Sequence, residues 1–271
     1  MRARGFLMGG TAGRTTLNGE GLQHEDGHSH ILASTIPNCV SYDPTFAYEV
    51  VVIVREGIRR MYEAQQDVYY YVTLMNENYP HPGMPEGAEA GIIKGLYLLK
   101  GGAKGKGARV QLMGSGTILR EVVSAAELLR QDFGVDADIW SATSFNELRR
   151  DGMSVERWNL LHPGKPRRKS YVETALEGHD GPVVAATDYM RNYAEQIRGH
   201  VPRTYAVLGT DGFGRSDYRR KLRRFFEVDR WHVVVAALKA LADDGVIKPA
   251  VVADAIAKYE LDAERAAPWT V

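Results

Sequence analysis

The stretch Val110-Gln111-Leu112-Met113-Gly114-Ser115-Gly116-Thr117 decides the fold. Its first four residues read as a short apolar strand and Gly114-Ser115-Gly116 as a tight turn. Residues 117–133 follow as a helix with Leu119, Val122, Val123, Ala126, Leu128 and Leu129 on its apolar side. The alternation continues downstream, with strands at 138–142, 182–187 and 205–209. Between them lie helices at 145–150, 155–161 and 188–198. Strands separated by helices imply an α/β fold whose mainly parallel sheet is covered by helices. Residues 231–244 and 249–261 read as closing helices.

Upstream, residues 48–62 place Val51, Val54, Ile58 and Tyr62 at helical spacing, and residues 67–75, rich in Val and Tyr, read as a buried strand. The run Tyr79-Pro80-His81-Pro82-Gly83-Met84-Pro85 stops regular structure, and residues 101–107, with four glycines and two lysines, mark a linker or an exposed turn. The expected division is 1–85, a linker region at 86–108, and a second domain at 109–271.

Composition narrows the function. A chain of 271 residues can bury a core without crosslinks. Its single cysteine, Cys39, cannot form an intramolecular disulfide, which suits a cytosolic protein. Lys plus Arg and Asp plus Glu balance at 34 each, so the overall charge gives no reason to expect nucleic acid as a partner. The longest apolar runs, at 50–54 and 233–238, fall far short of the roughly 20 residues of a membrane helix, so no membrane partner is expected. The first ten residues lack the pattern of a signal peptide, and a cytoplasmic location is the expectation.

The densest polar cluster is Gly19-Glu20-Gly21-Leu22-Gln23-His24-Glu25-Asp26-Gly27-His28-Ser29-His30, with three imidazoles and three carboxylates in twelve residues. Histidine moves protons near neutral pH and adjacent carboxylates orient it, so a proton-transfer or substrate loop is the leading reading. A metal site built from His24, His28 and His30 with Glu25 or Asp26 is a second reading, although flanking glycines disfavour the helix that would present such a pair. A solvated loop without chemistry is the third.

Weaker signals accompany it. The turn at Gly114-Ser115-Gly116 could offer amides to an anion, but lacks a dinucleotide fingerprint. The run Arg219-Arg220-Lys221-Leu222-Arg223-Arg224 reads as a solvated helix face with Leu222 and Phe225 inward, and residues 163–169 as a basic surface loop. Residues 208–217 follow a strand and fit a loop at the carboxyl edge of the sheet, where open α/β sheets bind ligands, or an interdomain or dimer contact.

Taken together, the unbroken run from Gly13 to His30, Ile36-Pro37-Asn38-Cys39, Asn76-Glu77-Asn78-Tyr79, Met84-Pro85-Glu86-Gly87 and residues 208–217 closely resemble one family. It is the homodimeric bacterial type of pyruvate dehydrogenase, the thiamine-diphosphate-dependent first component of the pyruvate dehydrogenase complex. Members are roughly three times as long, judged on ordinary domain sizes. The resemblance therefore implies the end of a pyrimidine-binding thiamine diphosphate domain followed by a transketolase-type C-terminal domain. It also implies oxidative decarboxylation of pyruvate, with the acetyl group passed to the lipoyl group of dihydrolipoyl acetyltransferase. His24 matches the family's active-centre histidine; Glu25, Asp26, His28 and His30 are its substrate-loop neighbours.

One departure matters. The family holds the diphosphate and Mg²⁺ with a Gly-Asp-Gly motif and a later Asn, and no Gly-Asp-Gly occurs in this sequence. No residue of this chain is therefore expected to anchor the cofactor, and activity is expected only beside the upstream portion of the enzyme. Such a chain would be a C-terminal fragment, a split-gene subunit or a truncated reading frame. It would also expose apolar surface that the missing strands cover. A non-catalytic assembly or dimerisation module and a sugar-phosphate transketolase are the alternatives.

Overall fold

The computed structural model describes residues 3–103 and 107–271. The expected turn at 101–107 thus lies partly outside the described residues. In chain order the elements begin with β1 (Phe6–Gly9), α1 (Ser29–Ser34), β2 (Cys39–Tyr42), α2 (Ala47–Ile58), β3 (Tyr69–Thr73), α3 (Glu89–Lys94) and β4 (Tyr97–Lys100). They continue with β5 (Arg109–Gly114), α4 (Leu119–Phe133), β6 (Asp136–Ser141), α5 (Phe145–Leu161), α6 (Tyr171–Ala175), β7 (Val183–Ala186) and α7 (Asn192–Glu195). β8 (Tyr205–Leu208), α8 (Arg219–Phe225), α9 (Arg230–Asp243) and α10 (Pro249–Lys258) complete the fold.

The strands form two sheets. The first is parallel throughout, in the order β1-β3-β2. The second runs β4-β6-β5-β7-β8, parallel except for β4. This is the mixed α/β, mainly parallel architecture the alternation implies. The second sheet is covered on both faces. On one, Val110, Leu112 and Val184 meet Val122 and Leu129 of α4 and Val234 and Leu238 of α9. On the other, Met113, Val183 and Ala185 meet Phe145, Leu148 and Tyr193. In α4 the buried stripe is Leu119, Val122, Ala125 and Leu129, while Val123, one position off it, is exposed.

Three expectations are corrected by packing. Residues 145–161 form one helix, α5, in which Gly152 lies against the His200 ring where a side chain would clash. Only residues 192–195 of the expected helix at 188–198 are α-helical. The carbonyl of Asp188 accepts from Arg14 N and that of Tyr189 from Thr210 N, so these groups serve neighbouring loops rather than a helical ladder. The segment 86–108 is not bare connection, since it holds α3 and β4.

Polar groups bind the two sheets together. Glu49 of α2, fully buried, accepts from Tyr97 Oη of β4 and Ser141 Oγ of β6, both at 2.6 Å, and from Phe46 N at 2.9 Å. The basic run of α8 is not wholly solvated. Arg223 is buried and reaches Glu77 at 2.5 Å and Glu121 at 3.5 Å, while Arg120 also pairs with Glu77 at 2.5 Å. Burial pushes the Glu77 carboxyl up, but Arg223 and Arg120 outweigh it and hold the group at about 2. Replacing Glu77 with Ala leaves the Arg223 guanidinium buried without its short partner. We expect a loss of roughly 3 kcal/mol in urea unfolding, the scale for breaking a buried pair from one side.

Candidate functional site

The polar run from Gly13 to His30 leaves the carboxyl end of β1 and crosses to the carboxyl ends of β7 and β8, the edge at which open parallel sheets present ligand sites. Its first anchor is Asp188, just beyond β7. This buried carboxylate accepts from Thr15 Oγ1 at 2.7 Å and Thr15 N at 3.1 Å, and the Asp188 carbonyl accepts from Arg14 N at 3.2 Å. Gly13 sits against the same carboxylate at φ +97°, so a side chain there would meet both a backbone penalty and the Asp188 oxygens. Further along, Gly19 N donates to the Asp217 carbonyl at 3.0 Å and Met190 N to the Gly27 carbonyl at 3.0 Å.

Between these anchors the loop makes one 3-10 turn, Leu22–His24. His24 is exposed at this turn, and His28 is exposed just before α1 begins. Glu25 is buried and its Oε2 accepts from Arg215 N at 2.6 Å. Burial pushes the Glu25 carboxyl up to about 7, against the pull of the Arg215 N–H and the Arg14 guanidinium. Arg14 lies buried beneath the loop, its basicity lowered by burial despite Asp188, Glu25, Asp26 and Asp211 around it. Asp26 shapes the entry to α1. Its Oδ1 accepts from His28 N and Ser29 N, both at 2.9 Å, and its Oδ2 from the hydroxyl of Ser29, the first residue of that helix.

His30 stands apart from the other two imidazoles. It is fully buried, stacked on Tyr193 at 4.7 Å and edge-on to Tyr189 at 4.6 Å, with Nε2 3.1 Å from Thr73 Oγ1. Burial lowers it to about 3, so it stays neutral in the folded chain. The three histidines therefore do not converge. Among the described residues no group of three or more His, Cys, Asp or Glu is placed to hold a metal ion.

The other sequence candidates resolve individually. The Gly114-Ser115-Gly116 turn is filled from within: Gly116 N donates to the Asp43 carbonyl at 3.1 Å, and the Ser115 and Thr187 hydroxyls pair at 3.0 Å. The 163–169 loop is a surface feature, with Arg168 3.7 Å over the Trp158 ring. The loop after β8 lies on the polar run through Arg215 and Asp217. Residue-by-residue reading missed Arg14, Asp188 and Arg215, because Thr15 and Asp188 lie 173 positions apart and Glu25 and Arg215 lie 190 apart.

Behind the loop, Asp43 is buried and its Oδ1 accepts from Thr73 Oγ1 at 2.7 Å. Burial raises its carboxyl to about 7, so the folded chain keeps a proton that the unfolded chain releases near pH 4. The stability this proton confers is full below about pH 4 and is lost as the pH rises to about 7. Asp43→Asn mimics the protonated form. Its urea midpoint should exceed that of wild type at about pH 8 and match it at about pH 4, and equal midpoints at both would contradict the assignment.

Comparison with known proteins follows the same geography. Residues 1–82 match the family described as pyruvate dehydrogenase E1 component middle domain, and residues 95–229 match the transketolase-like C-terminal domain. The chain is 69% identical over 268 residues to the pyruvate dehydrogenase E1 component of Pseudomonas aeruginosa, covering 98% of this chain and 30% of that protein. It is 62% identical to the same component of Cupriavidus necator and 60% identical to that of Escherichia coli K12, over 100% and 98% of this chain and again 30% of each relative. The chain thus spans about 30% of the length of these relatives. Among solved structures, a transketolase from Pichia stipitis superposes with a TM-score of 0.60 at 16% identity, covering 87% of this chain and 30% of that one. A split-gene transketolase, described as an inactive beta4 tetramer, gives 0.57 at 18% identity, covering 88% of this chain and 66% of that one. At such identities these two speak for the fold alone. The chain belongs to the pyruvate dehydrogenase E1 component family.

Proposed function

We propose that this chain is the C-terminal part of a thiamine-diphosphate-dependent pyruvate dehydrogenase. It would act in oxidative decarboxylation of pyruvate and in transfer of the acetyl group to the lipoyl group of dihydrolipoyl acetyltransferase. It would do so in the cytoplasm, as part of a homodimer feeding acetyl-CoA synthesis. The observation that carries this reading is the Gly13 to His30 run, pinned through Thr15, Gly19, Glu25 and Gly27 to the carboxyl edge of the second sheet with His24 left exposed.

Residues 1–85 are read as the end of the pyrimidine-binding domain and 109–271 as the transketolase-type C-terminal domain, with α3 and β4 of the segment 86–108 between them and β4 already part of the second sheet. The residues of this chain do not fit the diphosphate and Mg²⁺ end of the cofactor. No Gly-Asp-Gly occurs in the sequence, and no set of three or more metal donors stands together among the described residues. In this reading that end belongs to the upstream portion of the same enzyme, and the chain alone is inactive.

His24 then supplies a proton donor and acceptor at the mouth of the site, with its backbone fixed and its ring free to meet substrate. His30, buried and neutral, packs the base of the loop instead. Glu25, Asp26 and His28 act as neighbours that shape the turn.

Calorimetric titration of thiamine diphosphate and Mg²⁺ should give no heat with the chain alone. With the upstream portion added, it should give binding and pyruvate decarboxylation. Silence in both cases favours a non-catalytic assembly module, and binding by the chain alone overturns the placement of the cofactor. In the active mixture, His24→Ala should lower turnover by about 10²-fold or more with cofactor affinity nearly unchanged. An undiminished rate would refute the role of His24.

A further inference from the structure

The turn that carries His24 is held by a residue that points the other way. His24 is exposed while its neighbour Glu25 is buried, in a compact turn closed by His24 N to the Gly21 carbonyl at 3.0 Å and Asp26 N to the His24 carbonyl at 3.1 Å. The Glu25 carboxylate meets the loop after β8, where Arg215 N donates to Oε2 at 2.6 Å. A carboxylate accepting from a backbone N–H is a short, strong, directional contact, and the donor has no side-chain torsions through which to drift.

The opposing loop is shaped to receive it. A Cβ on Gly214 would stand 2.8 Å from the Leu22 carbonyl, 3.0 Å from Glu25 Oε2 and 3.1 Å from Glu25 Cβ. Only a residue without a side chain lets this loop lie flat on the histidine turn. The buried Arg14 guanidinium and the Asp188 carboxylate are the charged side chains that face Glu25 from below.

We propose that Glu25 is a positioning residue for His24, tying the histidine turn to the loop after β8 so that the second sheet fixes where the imidazole is presented. This rests on the reading of His24 given above and extends it. The ring that meets substrate comes from the first structural unit, and its placement comes from the second.

The test uses the full chain with isotope-labelled histidine. Glu25→Ala removes the acceptor, and Gly214→Ala pushes the two loops apart while leaving Glu25 in place. Both should shift or broaden the His24 ring resonances and speed exchange of the Arg215 amide by roughly tenfold or more. Glu25→Gln keeps an acceptor oxygen and should stay close to wild type. The ring signals of His200 and His232, remote from the loop, should hold in all three variants and so report an intact fold.

His24 signals that coincide with wild type in both Glu25→Ala and Gly214→Ala would overturn the proposal. In the active mixture, Glu25→Ala should lower kcat about tenfold or more with the KM for pyruvate changed less than about threefold, and Glu25→Gln should restore most of the rate. If His24→Ala leaves turnover intact, the reading of His24 fails on that result alone. The resonance data still decide whether Glu25 places the ring.

Discussion

A single buried carboxylate, Asp188, carries the junction on which the rest of the structure depends. It stands where β7 ends, and its two oxygens are spent on Thr15, at the start of a run that belongs to the other sheet. Its own backbone carbonyl receives Arg14 N and the Thr210 hydroxyl, so three segments meet at one residue. Burial raises its carboxyl to about 6, while Arg223 and the Thr15 hydrogen bonds pull it down. A charge in this position is costly unless hydrogen-bonded and faced by cations, and Thr15, Arg223 and Arg14 meet that requirement. The cost also makes the junction specific, since a shifted loop would leave a buried carboxylate without donors.

The ion pairs around α8 serve the same end from another direction. Arg223 touches Glu77, which follows β3, and Glu121, at the first turn of α4; it also lies near Thr15 Oγ1, at 3.3 Å. Arg219 Nε donates to the Thr16 carbonyl at 2.7 Å. α8 therefore acts as a strut: its Leu222 sits in the core of the second sheet, and its guanidinium groups reach across to the first. Because these partners are buried or half-buried, solvent and salt screen them less than surface pairs, and they fix geometry more than they add net stability.

Much of this fold was legible in the sequence. The apolar strand Val110 to Met113, the glycine turn after it and the periodic helix beyond state their own structure, because local propensity and packing agree there. The division of 155–161 from 145–150 failed because the intervening residues continue the helix, with Gly152 packed against His200, a partner far downstream that no local pattern announces. The helix expected at 188–198 failed because the backbone there is committed to Arg14 and Thr210, contacts no local pattern can announce. Arg223 read as solvated for a related reason: its partner Glu77 lies 146 residues upstream. At the candidate site the histidine cluster was visible as composition. What the sequence could not supply was the divergence of its members, with His30 sunk among tyrosines and His24 left outside.

That divergence bears on how the histidine loop keeps its shape. A loop that owed its shape to a bound cofactor would need that cofactor's contacts to pin it. Here Thr15, Gly19, Glu25 and Gly27 are each engaged by residues from the second half of the chain, at Asp188, Asp217, Arg215 and Met190. The entropic cost of ordering the loop is met within the fold by these contacts, while Glu49 of α2 ties the first unit to Tyr97 and Ser141 of the second sheet. The exposed His24 is thus presented on a support formed within this chain, ordered before any ligand arrives.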